Sequence, residues 1–209
     1  MTVEQTRQAI ETHYALSPSD APVVQLKGHG RTSLASLYPK LGFKHGLELG
    51  VWDGQHAEWV CQLNPEVELL CVDAWERFAV KVNHPSPSRF VREQQKARQR
   101  LAPYRTTILP MFSDEAAALV QDRSLDFIFI DASHGYLDVL CDITRWAPKI
   151  KSGGIVSGHD YETTVLGWPP ENGVKEAVHT YIGSEGIAPV YVLMGTSRDR
   201  WKSYFWISP

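Results

Sequence analysis

The chain has 209 residues, 43% of them hydrophobic, and a formal net charge of -3, which suits one α/β domain able to bury its own core without disulfide or metal staples. So even a charge balance argues against a nucleic-acid-binding surface, and no apolar run approaches the roughly 18 residues that a membrane span requires. Cys61, Cys71 and Cys141 are odd in number, lack C-x-x-C spacing and fall inside apolar patterns, so they read as reduced core residues of a cytoplasmic protein.

In chain order, Glu4, Arg7 and Glu11 fall in a helical pattern over Val3 to Ala15. Leu34, Leu37, Tyr38 and Leu41 recur at helical spacing and predict a second helix over Thr32 to Leu41. Residues 1–45 are therefore expected to form a helical cap ahead of a domain spanning 46–209. From Gly46 onward strands and helices alternate. The strand candidates are Gly46 to Gly50, Glu68 to Ala74, Thr106 to Phe112, Leu125 to Asp131 and Gly154 to Asp160. Such alternation implies a parallel sheet wrapped by helices. After Asp131, a helix with Tyr136, Leu140, Ile143 and Ala147 on one face leads to a break at Lys151 to Gly154. Pro189 to Met194 and Ser203 to Ile207, around the polar turn Gly195 to Arg200, read as a closing antiparallel hairpin. Two proline-bearing segments, Arg77 to Arg89 and Thr163 to Asn172, follow strand ends, where long loops shape substrate pockets.

The stretch from Gly46 to Gly54 carries the most information. A buried strand bearing one acid, Glu48, runs into a turn with two glycines, Gly50 and Gly54, with Trp52 between them. Glycines let backbone turn sharply and approach a ligand, and a helix expected over Gln55 to Leu63 would aim its N-terminal amides at that ligand. A dinucleotide fingerprint wants G-x-G-x-x-G and an acid about 20 residues on. Here only G-x-x-x-G is present, although Asp73 can still accept two hydrogen bonds from a ribose diol. An acid inside an apolar strand costs several kcal/mol to bury alone, so Glu48 is expected to meet turn amides or a cationic ligand.

With these features the sequence resembles the class I S-adenosylmethionine-dependent methyltransferases from about Gly46 to the C-terminus. Phe129 to Tyr136, followed by Asp142, Trp146, Pro148, Gly153, Gly154 and Gly158 to Tyr161, resembles their small bacterial branch, methyltransferase family 24. The resemblance implies a Rossmann-like α/β fold: a mostly parallel seven-stranded sheet with an antiparallel C-terminal hairpin and helices on both faces. It implies a cofactor site built from Glu48, Gly50, Trp52, Gly54, Asp73, Ala74, Phe112, Ser113 and Asp131. Glu48 would lie near the methionine end, Asp73 at the ribose, and the strand end at Met111 to Ser113 beside the adenine.

Asp131 and Asp160 end two successive strands, which a right-handed crossover places side by side, roughly 5 Å apart. Acids that close repel unless a cation or donor lies between them. Mg²⁺ or another divalent cation, with His159 as a further shell residue, would resolve that cost and acidify a bound hydroxyl. His134 is the candidate general base, set against a loop-ordering role. Ser133, His134 and Asp131 are too close in sequence to form a hydrolase triad, and no G-x-S-x-G elbow exists. Tyr136 and Tyr161 suit either an acceptor pocket or the core, and His13, His29, His45, His56, His84 and His179 read as surface or packing residues. The expected reaction is transfer of the S-adenosylmethionine methyl group to an oxygen of a small molecule or sugar. The rivals are an NAD(P)-dependent oxidoreductase, disfavoured by the missing glycines, and a non-catalytic cofactor-binding partner protein. Trp201, Tyr204, Phe205 and Trp206 supply either a contact surface for a homo-oligomer or core.

Overall fold

Side chains alternate across a strand, and here both sets are apolar, so both faces of the sheet must be covered. A computed structural model describes residues 1–17, 19–76, 86–162, 173–197 and 199–209. Its strands are β1 (Val23–Leu26), β2 (His45–Leu49), β3 (Glu68–Val72), β4 (Thr106–Leu109), β5 (Leu125–Ile130), β6 (Ile150–Gly158), β7 (Val190–Leu193) and β8 (Ser203–Ile207). They form one sheet in the order β1-β7-β8-β6-β5-β2-β3-β4. Every pairing is parallel except those of β8, which runs antiparallel to both β6 and β7. The helices are α1 (Val3–Tyr14), α2 (Arg31–Ala35), α3 (Gln55–Leu63), α4 (Pro87–Leu101), α5 (Ser113–Leu119), α6 (Tyr136–Trp146) and α7 (Val174–Glu185). None of the helices in the described residues is long and apolar enough to cross a membrane.

Helices α1 to α4 pack on one face, over Leu69, Cys71, Phe127, Phe129 and Phe205. Helices α5 to α7 pack on the other, over Leu47, Leu49, Ile128, Val156 and Trp206. Fully burying side chains such as Trp146 and Trp206 stabilises the fold by about 1.5–3 kcal/mol each or more. The polypeptide leaves β2 for β3 on one side and later places β5 on the other. That reversal opens a crevice at the C-terminal ends of β2 and β5, where open α/β sheets bind their ligands.

The fold is the Rossmann-like class I arrangement, with eight strands among the described residues where seven were expected. The additional strand is β1, paired along its length with β7, so the segment expected as a helical cap also contributes to the sheet. A four-residue edge strand among polar neighbours gives almost no periodic signal. The helix expected over Thr32 to Leu41 is split into α2 and a 3₁₀ turn over Tyr38–Leu41, because Pro39 cannot donate an i→i−4 hydrogen bond. The break expected at Lys151 to Gly154 lies inside β6, as a bulge where the register moves from Leu125↔Ile150 to Phe127↔Ile155. Gly153, at φ 78°, lets the start of α1 press on the bulge, and the Thr6 hydroxyl donates to the Gly153 carbonyl at 2.6 Å.

Cys61 and Cys71 are buried, but Cys141 is exposed and is not the core residue expected. Tyr204, Phe205 and Trp206 are each 0% exposed and belong to the core, leaving Trp201 at 37%. Of the two proline-bearing segments, residues 77–85 and 163–172 lie outside the described residues, and Pro87 to Arg89 begin α4.

Candidate active site

The turn after β2 is held by backbone geometry that its residues dictate. Gly50 has φ 87°, and a Cβ there would overlap the carbonyl oxygen of Asp131, so only glycine lets β2 and β5 end this close together. Trp52 is also left-handed, at φ 51°. Its conformation is fixed at both ends: its N–H donates to Asp73 Oδ2 at 2.8 Å, and its carbonyl accepts from Trp75 Nε1 at 2.7 Å. The Trp75 N–H donates to the other Asp73 oxygen at 2.7 Å, across Ala74. Burial raises the Asp73 carboxyl above its ordinary pKa, against the lowering effect of these backbone amides. The Trp52 ring lies against α4, with Phe90 edge-on at 6.0 Å and the Arg89 guanidinium at 5.2 Å. Gly54, at φ 80°, opens α3 and brings it onto α4, where a Cβ would come within 3.1 Å of Ala97.

Glu48 is 2% exposed, and its protein partner is His56, not a turn amide. The His56 Nδ1 lies 2.8 Å from Glu48 Oε2, and the ring stacks on Phe129 at 4.0 Å. Sequence reasoning placed His56 among surface or packing residues. Its signal was its position, the second residue of a helix that starts directly after a strand carrying a buried acid.

Beyond β4, Phe112 precedes α5 and its N–H donates to the Glu115 carboxylate at 3.3 Å. The Ser113 hydroxyl donates to Asp142 and accepts from Trp146 Nε1 at 2.9 Å. Burial pushes the Asp142 carboxyl up to about 6, despite the Ser113 hydrogen bond that favours its ionised form.

Next to the turn, six charged or ionisable side chains close a ring in which acids and bases alternate. The Asp131 amide donates to the Leu49 carbonyl at 2.7 Å, which fixes that acid beside the turn. The His134 Nε2 reaches Asp160 at 2.9 Å and Asp131 at 3.8 Å. His159 presents Nδ1 to Asp160 at 3.4 Å and to Asp131 at 3.8 Å, and its Nε2 faces Asp199 at 3.5 Å. Arg31 completes the circuit, with Nη1 3.4 Å from Asp131 and Nε 3.6 Å from Asp199. Burial alone would lower the His134 pKa, but the Asp131 and Asp160 carboxylates beside it raise it to about 10. The same opposition raises His159 to about 9. Burial would raise Asp160, yet the two imidazoles hold it far below the ordinary carboxylate range, and His159 with Arg31 also lowers Asp199.

Among the described residues, Asp131, His134 and Asp160 each offer one ligand atom, all within 4.8 Å of one another. Two carboxylates and water oxygens suit a hard divalent cation, and an imidazole is compatible with several transition metals. The two carboxylates fit such a cation, with His134 Nε2 in the same group and His159 Nδ1 at 3.8 and 3.4 Å from the same two acids. Arg31 and Asp199 were not foreseen. Tyr161 is 5% exposed and shares a 2.7 Å hydrogen bond with His179, whereas Tyr136 is 37% exposed.

A family model described as "Methyltransferase domain", family 24, matches residues 47–161, more than half of the 209-residue chain. The chain belongs to that family. The matched stretch of this methyltransferase contains the turn, Asp73, Ser113, Asp131, His134, His159 and Asp160, but neither Arg31 nor Asp199. No curated protein matches the chain. Solved structures share its fold at low identity. An O-methyltransferase from Bacillus cereus in complex with S-adenosylhomocysteine is 14% identical with a TM-score of 0.64, covering 99% of this chain and 91% of that one. A putative caffeoyl-CoA O-methyltransferase from Staphylococcus aureus is 17% identical with a TM-score of 0.61, covering 99% and 92%. An O-methyltransferase of tomaymycin synthesis from Streptomyces achromogenes, in complex with S-adenosylmethionine, is 15% identical with a TM-score of 0.60, covering 99% and 89%. The methyltransferase therefore has the class I, Rossmann-like fold read from its sequence.

Proposed function

We propose that this methyltransferase transfers the methyl group of S-adenosylmethionine to a hydroxyl oxygen of a small molecule or sugar. The observation that carries the reading is the convergence of Asp131, His134 and Asp160 beside the two-glycine turn. The turn and Asp73 would seat the nucleoside, with Ser113 flanking the adenine and Glu48 near the methionine end. Asp131 and Asp160 would hold a divalent cation, which when bound would lower the pKa of the acceptor hydroxyl. With a cation held there, the two acids would no longer raise the His134 pKa, and the neutral ring could take the proton of the hydroxyl at Nε2. The oxygen then attacks the methyl carbon, the carbon–sulfur bond breaks with its electron pair on sulfur, and neutral S-adenosylhomocysteine remains. The donor is intrinsically reactive, so alignment and proton removal are the tasks left to the protein.

The test is a thermal-shift titration with S-adenosylhomocysteine and with NAD, followed by a screen of hydroxyl-bearing metabolites with labelled donor. Stabilisation by S-adenosylhomocysteine and label on an oxygen are expected. Stabilisation by NAD alone would reject the reading, and transfer insensitive to EDTA would remove the cation from it.

A further inference from the structure

The ring of alternating charge is closed by two residues outside the matched methyltransferase stretch: Arg31, which opens α2, and Asp199, in the connection between β7 and β8. We propose that Asp199 and Arg31 are positioning residues of the reaction centre, Asp199 aligning the His159 ring and Arg31, and Arg31 in turn aligning Asp131.

Both side chains are carried by connections that are joined to each other. The Met194 amide donates to the Leu26 carbonyl at 3.1 Å and the Gly195 amide to the His29 carbonyl at 2.9 Å. Asp199 is fixed within its own turn, where its amide donates to the Thr196 hydroxyl at 3.1 Å and its carbonyl accepts from the Thr196 amide at 2.7 Å. Its Oδ2 then accepts the Arg31 amide at 3.1 Å, an approach that the missing side chain of Gly30 permits, since a Cβ there would come within 2.7 Å of that oxygen. The Arg31 guanidinium is supported from below by the Trp59 ring at 5.7 Å.

His159 is 5% exposed, so its orientation depends on protein partners alone. What one imidazole nitrogen meets determines how the other is presented. Asp199 at Nε2 sets the ring plane and turns Nδ1 towards Asp131 and Asp160. Three atoms of this arrangement, Arg31 Nε, His159 Nε2 and Asp199 Oδ1, are buried and make no hydrogen bond. Arg31 Nε and His159 Nε2 both face Asp199 Oδ1, at 3.6 and 3.5 Å, so one carboxylate oxygen sets the direction of both side chains. The matched residues place the groups that act, and the two outer connections set their angles.

The kinetic arm of the test rests on the proposed methyl transfer, whereas the spectroscopic arm does not. Protein labelled with ¹⁵N-histidine is compared with its Asp199→Ala, Asp199→Asn and Arg31→Lys variants, His159→Gln serving to assign the ring signals. Asp199→Ala should move the His159 ring resonances, with Asp199→Asn recovering part of the change. With an acceptor from the labelled-donor screen, Asp199→Ala should lower kcat by about 10- to 100-fold while S-adenosylhomocysteine affinity stays within about twofold. Unchanged His159 resonances in Asp199→Ala would overturn the proposal. So would a kcat that falls only in step with a lost melting temperature. Wild-type protein that fails to bind S-adenosylhomocysteine would instead reject the methyltransferase reading, and the ring signals would still decide the positioning role.

Discussion

The two halves of the crevice satisfy their polar groups in different ways. On the side of β2, β3 and β4, carboxylates meet backbone amides or one buried partner at hydrogen-bonding distance: Asp73 with Trp52 and Trp75, Glu48 with His56, Asp142 with Ser113. On the side of β5, β6 and the outer connections, charged side chains meet one another, and all but the His134–Asp160 contact lie at 3.4–3.8 Å. Amides fixed by secondary structure make a preorganised seat whose shape does not depend on ionisation. A ring of side chains keeps its charges adjustable, which suits the proton and the sulfonium charge of the proposed transfer.

The sharpest way to break the comparison is to break the seam between the halves. Gly50→Ala drives a Cβ into the Asp131 carbonyl, on backbone that side chains rarely adopt, and should abolish S-adenosylhomocysteine binding and lower the melting temperature together. A variant that binds normally would show that the two strand ends need not approach so closely. His134→Ala probes the ring alone. It should lower kcat by about 10²–10⁴-fold, with Mn²⁺ and S-adenosylhomocysteine affinities, measured by calorimetry, nearly unchanged. Loss of Mn²⁺ binding would instead make His134 a metal ligand and remove it as the base. Asp73→Ala probes the seat: about a 10- to 100-fold weaker dissociation constant for S-adenosylhomocysteine is expected, equivalent to about 1.4–2.7 kcal/mol. An unchanged constant would leave Asp73 only its role of holding the Trp52 and Trp75 amides.

The same contrast explains what the sequence could tell. The seat is contiguous, so Gly50, Gly54 and Asp73 announce themselves through spacing, and the strands β2 to β6 through apolar runs. The ring draws on positions 31, 131, 134, 159, 160 and 199. Asp131 and Asp160 could be paired because successive parallel strands lie side by side. Nothing local marks Arg31 or Asp199, because their roles arise only when β1 adds beside β7 and the two neighbouring connections meet. His56 packs on Phe129, within the surface-or-packing reading, but its pairing with Glu48 has no local mark, since a histidine in a helix is ambiguous until the acid below it is known to be buried.

The smallest effect concerns the buried Asp142 carboxyl that accepts from the Ser113 hydroxyl. Burial raises Asp142 from 3.8 to about 6, so the folded protein holds that proton more tightly than the unfolded chain does. This contribution to stability is complete below about pH 4 and is lost as pH rises through about 6, the reverse of what the lowered Asp160 and Asp199 contribute. The full shift corresponds to about 3 kcal/mol. Asp142→Asn keeps an acceptor for the Ser113 hydroxyl but brings an NH₂ that needs its own partner, so on the order of 1 kcal/mol should be recovered at pH 8. In a domain of this size that raises the melting temperature by about 2–4 °C. Because the NH₂ penalty does not depend on pH, the variant should be about 2 kcal/mol less stable than the wild type at pH 4, overtake it between pH 4 and 6, and keep a level advantage above. A difference independent of pH would mean that the Asp142 carboxyl is ionised throughout and that its burial is already compensated. If the variant also leaves S-adenosylhomocysteine affinity unchanged at pH 8, the seat keeps its shape through a change of charge directly behind it, as amide-held geometry requires and a side-chain ring does not allow.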